Sequence, residues 1–207
     1  QKKKKEEKAL EIEILNLIQH LRTPFLDEAM RFVTSLGNFS IAWVMLALVL
    51  ILIPKTRKIG LVVMVAVILD SVLCNGILKN IFVRPRPCDV NTAINLLIPR
   101  PSGYSFPSGH TSASFAAVAA LYFSGERKIW KAALALAILI AFSRMYLYVH
   151  YPTDVLGESY AESYAAAPRG GASGGFPGEA RLGSAFDRKS PWEMHFAVLY
   201  WNEMTER

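Results

Sequence analysis

The sequence predicts an all-α integral membrane helix bundle with about four spans, and three observations carry that prediction. The apolar residues are unevenly placed: 52% of the 207 residues are hydrophobic, residues 39–150 hold most of them, and both ends are polar. Four runs in that stretch approach the roughly 20 apolar residues that a membrane-crossing helix needs. None of the runs keeps a consistent polar face, which the helices of a soluble bundle would turn toward water. The length suits one domain.

Taken in order, residues 2–8 read KKKKEEK, a solvated charged start. Ile14, Leu17, Ile18, Leu21, Phe25 and Leu26 then recur at roughly helical spacing, interrupted by Pro24. This part is too polar to span and suits a helix lying at the interface or packed on its neighbours. Residues 1–38 thus read as a basic N-terminus with an amphipathic interfacial helix. The candidate spans follow at residues 39–53, 59–78, 106–123 and 129–149. The first and third are short but can extend into their flanks. The third is rich in small residues, which permit close helix packing.

The formal net charge of +6 comes largely from residues 2–5 and from short basic clusters beside apolar runs. That pattern speaks for membrane topology rather than nucleic-acid binding. The loops at 54–58 and 124–128 are short and basic, so the positive-inside rule makes both cytoplasmic. The N-terminal lysines oppose that orientation but lie farther from the spans. With four alternating spans, the loop at 84–105 lies outside, as do the start of the third span and the end of the fourth.

Alternation therefore brings three polar groups to one membrane face. Lys79, Arg84 and Arg86 leave the second span, Ser108, Gly109 and His110 open the third, and Arg144, His150 and Asp154 close the fourth. Ionisable residues near spans are costly and usually functional. Cations beside helix N-terminal amides make an oxyanion site, most naturally for phosphate. A histidine with a carboxylate four residues later can be oriented and kept nucleophilic by it, and a second histidine can serve as general acid. The two cysteines, Cys74 and Cys88, have no metal-type spacing and define no disulfide framework. Read from the residues, the site performs metal-free phosphoryl transfer at a membrane surface.

The residues also carry a resemblance. Lys79, six residues, then Arg86–Pro87; Pro107-Ser108-Gly109-His110; and Ser143–Arg144, five residues, His150, three residues, Asp154 stand in this order. Each pattern alone is weak; together, in order and correctly spaced, they are specific. The chain resembles the type 2 phosphatidic acid phosphatase (PAP2) superfamily, which includes vanadium haloperoxidases and bacterial undecaprenyl-diphosphate phosphatases. The resemblance covers about residues 10–157 and is strongest to small bacterial membrane members. It implies a PAP2/haloperoxidase-like bundle in which His150 attacks phosphorus to form a phosphohistidine and Asp154 orients His150. His110 would protonate the leaving oxygen and then activate water. Lys79, Arg86 and Arg144 would clamp the phosphate oxygens, with Ser108 and the Gly109 amide as further donors.

Other residues take plainer readings. Arg84, inside the six-residue spacer, reads as a solvated loop charge. His20 and His195 read as surface residues, Asp70 and Asn75 as partners of neighbouring helices, and Cys88 as a free thiol. Tyr146 and Tyr148 read as an interfacial belt. Prolines 85, 87, 99, 101 and 107 stiffen the outer loop.

The catalytic domain is placed at residues 39–157. Beyond it, where the family has a last apolar span, residues 158–207 are polar and Gly/Ala-rich. Their composition reads as a disordered tail. If the repeat ESYAESYA is encoded GAR-TCN-TAY-GCN, the frame starting at the third nucleotide reads Ile or Val, then Ile, Val or Leu, then Cys or Arg, with Gly allowed next, so a frameshift after Gly157 is one expected origin of the tail and a genuine divergent tail the other. Loss of the last span would loosen His150 and leave the enzyme impaired.

The expected activity is hydrolysis of a lipid phosphate or diphosphate, of the polyprenyl diphosphate or phosphatidic acid type, without metal or other cofactor. The alternatives are a catalytically impaired or lipid-binding remnant, and a haloperoxidase holding vanadate, which the apolar spans oppose. Expected partners are the lipid substrate and the bilayer, with no nucleic acid. The expected location is a bacterial cell membrane, with the site facing the extracytoplasmic side.

Overall fold

The computed structural model describes residues 2–126 and 128–157, and among them all regular structure is helical. Helix α1, Lys2–Gln19, ends in a turn, and α2, Pro24–Gly37, begins anew. The restart follows from local chemistry. Thr23 Oγ1 accepts from Leu26 N at 3.2 Å, Pro24 occupies the first turn, and Asp27 sits at the positive helix end. A 3₁₀ turn at Asn38–Ser40 joins α2 to α3, Ile41–Leu52. Phe39 and Ser40 take left-handed backbone there, with φ of 50° and 56°.

Helix α4, Arg57–Val72, runs into a π-helical segment, Leu73–Leu78, and then into the short α5, Lys79–Phe82, and α6, Pro87–Val90. Helix α7, Gly109–Phe123, and α8, Trp130–Tyr146, follow, and α9, Pro152–Leu156, is a single short turn of helix.

The chain packs α3 on α4, α4 on α7, α7 on α8, and α2 on α8. Helix α7 sits centrally because its buried side is mostly alanine: Ala113, Ala116, Ala117, Ala119 and Ala120 let neighbouring backbones approach closely. Trp43 of α3 is buried and donates its indole N–H to Ser114 Oγ at 2.8 Å. Many large apolar side chains instead face outward, among them Leu48, Leu61, Ile68, Leu69, Ile138 and Leu139. A soluble bundle would cover such a surface, whereas a bilayer leaves it as it is.

Two stretches are long and apolar enough to cross a membrane: Pro24–Leu52, 29 residues, and Arg57–Val90, 34 residues. The first is longer than the span expected at 39–53, because α2 continues through the 3₁₀ turn into α3 instead of lying apart at the interface. Helices α7 and α8 have 15 and 17 residues. At about 1.5 Å per residue they fall short of a hydrocarbon core of about 30 Å.

Of the two placements expected for this segment, at the interface or packed on its neighbours, α1 shows the packing. Leu15 is fully buried in a cluster with Cys88, Leu147, Tyr148, Val149 and Tyr151. The expected tyrosine belt is corrected: Tyr146 and Tyr148 are both buried. The Tyr146 hydroxyl donates to Asp27 Oδ1 at 2.6 Å and that of Tyr148 to Asn16 Oδ1 at 2.9 Å. Helices α1 and α2 cover these rings, so each phenol finds a protein acceptor rather than water. The expectations for residues 158–207, including His195, the disordered tail and the frameshift, lie outside the described residues.

Candidate active site

Lys79 opens α5 directly after the π-helical segment. Such a segment adds a residue to a turn and re-aims the side chains that follow. The Lys79 ammonium donates to Asn75 Oδ1 at 2.8 Å. That same oxygen lies 3.2 Å from where a Cβ on Gly109 would stand, so glycine allows the start of α7 to approach Asn75 and Lys79.

Arg86 is buried and spans the outer loop. Its Nε donates to Gly103 O at 3.0 Å, Nη2 to Ser102 O at 3.2 Å, and Nη1 to Val149 O at 3.1 Å. Nη1 also lies 3.1 Å from His150 Nε2. A guanidinium has donors only, so Nε2 is the unprotonated nitrogen and the neutral ring carries its proton on Nδ1. Nδ1 faces Asp154 Oδ2 at 3.5 Å and makes no closer hydrogen bond. Burial pushes the His150 pKa down to about 4, against the opposing pull of Asp154. The ring is therefore neutral, with its Nε2 lone pair available, at ordinary pH.

Asp154 lies on α9 and is buried. Its Oδ2 accepts from Tyr151 N at 2.8 Å and from the Ser105 hydroxyl, and its Oδ1 accepts from Arg84 Nη1 at 2.5 Å. Burial opposes its charge. The contact with His150, the Arg84 guanidinium and the Ser105 hydroxyl outweigh that and hold the carboxyl below its ordinary range.

Arg144, at the end of α8, is buried at 4% exposure and donates from Nη1 to Thr34 Oγ1 at 2.5 Å. His110, in the first turn of α7, has Nε2 3.0 Å from Asn38 Oδ1. Arg144, His150, Lys79 and Arg86 all lie within charge-interaction range of His110. Ser108 is buried; its amide donates to Asp154 O at 3.4 Å, and its hydroxyl lies 3.0 Å from Thr111 Oγ1. The next three amides, of Gly109, His110 and Thr111, open α7 and have no intrahelical acceptor, the first such bond being Ser112 N to Ser108 O at 2.8 Å.

Among the described residues, Lys79, Arg86 and Arg144 have no carboxylate within ion-pair distance. Holding three cations without counter-ions in a partly buried site is costly. An incoming anion would relieve that cost. No hydrogen bond joins His110 to His150; His110 comes from the first turn of α7 and His150 from the turn between α8 and α9, and Lys79, Arg86 and Arg144 lie within charge-interaction range of His110.

Arg84 corrects the sequence reading. It is no solvated charge: it is 6% exposed, pairs with Glu11 Oε2 and Asp154 Oδ1 at 2.5 Å each, and stacks over the Tyr151 ring at 3.9 Å. Its position inside the spacer gave no sign of this, because Glu11 is 73 residues away in sequence. Glu11, Thr34, Asn38 and Ser105 also escaped notice. A Gly-Asn pair inside an apolar run was the one available signal, and it marked the break at Asn38. Asp70 pairs with a neighbouring helix, as expected, accepting from Ser112 Oγ of α7 at 2.5 Å, whereas Asn75 bonds within its own segment, donating to Ser71 O at 3.1 Å and accepting from Lys79. Cys74 and Cys88 are free and buried.

Similarity to known proteins agrees with this architecture. The PAP2 superfamily model matches residues 58–157. The undecaprenyl-diphosphatase BcrC of Bacillus subtilis is 34% identical over 132 residues, covering 64% of this chain and 67% of that protein. An undecaprenyl-diphosphatase of Sulfolobus acidocaldarius is 28% identical over 145 residues, covering 70% and 69%. The crystal structure of a transmembrane PAP2-type phosphatidylglycerolphosphate phosphatase from Bacillus subtilis superposes with a TM-score of 0.60 at 28% identity, covering 72% of this chain and 77% of that one. Fold and relatives together define a helical phosphatase with apolar, membrane-type helices. The chain belongs to the PAP2 superfamily.

Proposed function

We propose that this protein hydrolyses a lipid phosphate or diphosphate at a membrane surface through a phosphohistidine on His150. The observation that carries the reading is the gathering, about two histidines, of three cations that have no carboxylate partner among the described residues, with one histidine held between Arg86 and Asp154. His150 Nε2 attacks phosphorus as the bond to the leaving oxygen breaks, and His110 gives that oxygen its proton. Arg86 yields its contact with Nε2 to the arriving phosphate and, with Lys79 and Arg144, offsets the charge that grows on the phosphoryl oxygens. Ser108 and the Gly109 amide add donors. Water, deprotonated by His110, then cleaves the P–N bond and releases phosphate.

Polyprenyl diphosphate is the preferred substrate. The undecaprenyl-diphosphatases among the relatives support it; the phosphatidylglycerolphosphate phosphatase keeps glycerophospholipid phosphates as the next choice. Helices α7 and α8 serve as short third and fourth spans, with the site on the extracytoplasmic face of a bacterial cell membrane. Impairment by a missing last span is not favoured, because Arg84, Ser105 and Tyr151 already hold Asp154.

The test is phosphate release in detergent micelles with EDTA present, from undecaprenyl diphosphate and from phosphatidic acid. Wild type releases phosphate and His150→Ala does not. No release from folded wild type, or release independent of His150, overturns the proposal.

A further inference from the structure

The proposed mechanism uses Asp154 but leaves unexplained what keeps a buried carboxylate charged and aimed. The described residues supply a closed network around it. Arg84 reaches Asp154 Oδ1 with Nη1 and Glu11 Oε2 with Nη2, both at 2.5 Å. Thr153 Oγ1 accepts from Arg84 Nη1 at 2.8 Å and donates to Glu11 Oε1. The Tyr151 ring lies 3.9 Å from the guanidinium carbon, so the plane of the fork is set by stacking as well as by its acceptors. Arg84, Glu11 and Asp154 are all at least nine-tenths buried, at 6%, 7% and 4% exposure. With Arg84 on Oδ1, the carboxylate turns Oδ2 toward His150 Nδ1.

We infer that Arg84 and Glu11 are positioning residues for the proposed reaction: Arg84 fixes and charges Asp154, and Glu11 of α1 anchors Arg84. A guanidinium shared by two carboxylates cannot swing away from one without stranding the other, and a stranded buried charge is strongly unfavourable. The N-terminal helix thereby becomes part of the catalytic apparatus, although no PAP2 motif of this chain extends into it. The inference rests on the reading of His150 as nucleophile and Asp154 as its partner.

Electrostatics give the two residues opposite signatures. Arg144, Arg86 and His110 face His150, Arg84 faces Asp154, and Tyr151 and Glu11 face the Arg84 side of the pair. Removing the Arg84 cation lets that pair take its first proton at a higher pH. Removing the Glu11 anion lets it do so at a lower pH. A purely structural role would lower activity in both variants without moving the acid limb of the pH profile in opposite directions.

The experiment measures kcat, KM and the acid limb of kcat for wild type, Arg84→Gln, Arg84→Lys and Glu11→Gln in micelles. Arg84→Gln is expected to lose roughly 100-fold in kcat, the order of a 1 Å misplacement of a reacting group, with KM little changed and its acid limb raised. Arg84→Lys restores the charge but not the fork, so its acid limb returns toward wild type while kcat recovers only in part. Glu11→Gln, an isosteric change, lowers kcat severalfold and moves the limb down; it carries the test alone if the Arg84 variants do not fold. Wild-type kcat and profile in Glu11→Gln, or limbs that move the same way in Glu11→Gln and Arg84→Gln, overturn the inference and leave the proposed function standing. Folded wild type without phosphate release overturns both.

Discussion

Gly37→Ala is the perturbation whose consequence the structure defines most narrowly. Gly37 closes α2 with φ −84° and ψ −12°, a backbone that alanine adopts without strain. The effect must therefore come from the added methyl group. That Cβ would stand 2.6 Å from His110 Cδ2 and 3.1 Å from Ile140 Cγ2. Ordinary contact begins at 3.4 Å, so the imidazole must move by about 0.8 Å or the helices must separate. Overpacking of this kind costs about 1–3 kcal/mol. Tilting the ring also breaks its 3.0 Å contact with Asn38. A reacting group displaced by about 1 Å can lose about 100-fold in rate, so kcat for phosphate release should fall by one to two orders of magnitude, with KM nearly constant. Gly76→Ala is the control: a Cβ there meets nothing within 4 Å. Its helical site should gain about 0.5–1 kcal/mol and keep wild-type kcat. Phosphate release in micelles, read beside thermal unfolding of each variant, decides the matter. Full activity in Gly37→Ala would refute the placement of His110 against α2.

Three further outcomes are expected. Asp154→Asn should lower kcat by about 10³- to 10⁴-fold, since an amide facing Nδ1 can donate and turn the imidazole to its wrong tautomer; single-turnover release measures this, and a loss below tenfold refutes it. His150 should titrate near pH 4 rather than 6.5. Its folded value lies below the unfolded one, so the unfolded chain binds more protons between those values, and stability falls as pH drops through that window. NMR of ¹³C-labelled histidine rings in free protein reads the titration, and a His150 midpoint at 6.5 contradicts the burial argument. Tyr146→Phe removes the hydroxyl that donates to Asp27 at 2.6 Å and should cost about 1–3 kcal/mol, because Asp27 is a charged acceptor; thermal unfolding with an unchanged midpoint would count against the docking of α2 on α8.

Much of the site was legible because its chemistry is local. Lys79 and Arg86 stand seven residues apart, His150 and Asp154 four, and Pro107 to His110 are contiguous. Alternation of apolar runs then carried these groups to one face without any knowledge of side-chain contacts. What supports the site was not legible. Thr34, Asn38 and Glu11 lie 110, 72 and 73 residues from the groups they hold. A polar residue in an interfacial-looking segment gives no local sign of such a partner.

By itself the sequence determined that the chain is helical, that its apolar runs are of membrane type, and that two histidines, three cations and a carboxylate share a phosphatase pattern. Composition and periodicity suffice for that, because burying apolar surface and satisfying backbone hydrogen bonds depend on runs of residue types. Tertiary structure decided the rest: that α2 and α3 form one long stretch, that Tyr146 and Tyr148 face protein rather than lipid headgroups, and that Arg84 is buried between Glu11 and Asp154. Those outcomes depend on which helices meet. Arg84 in particular is buried beside two carboxylates, Glu11 and Asp154, that only the folded chain brings to it.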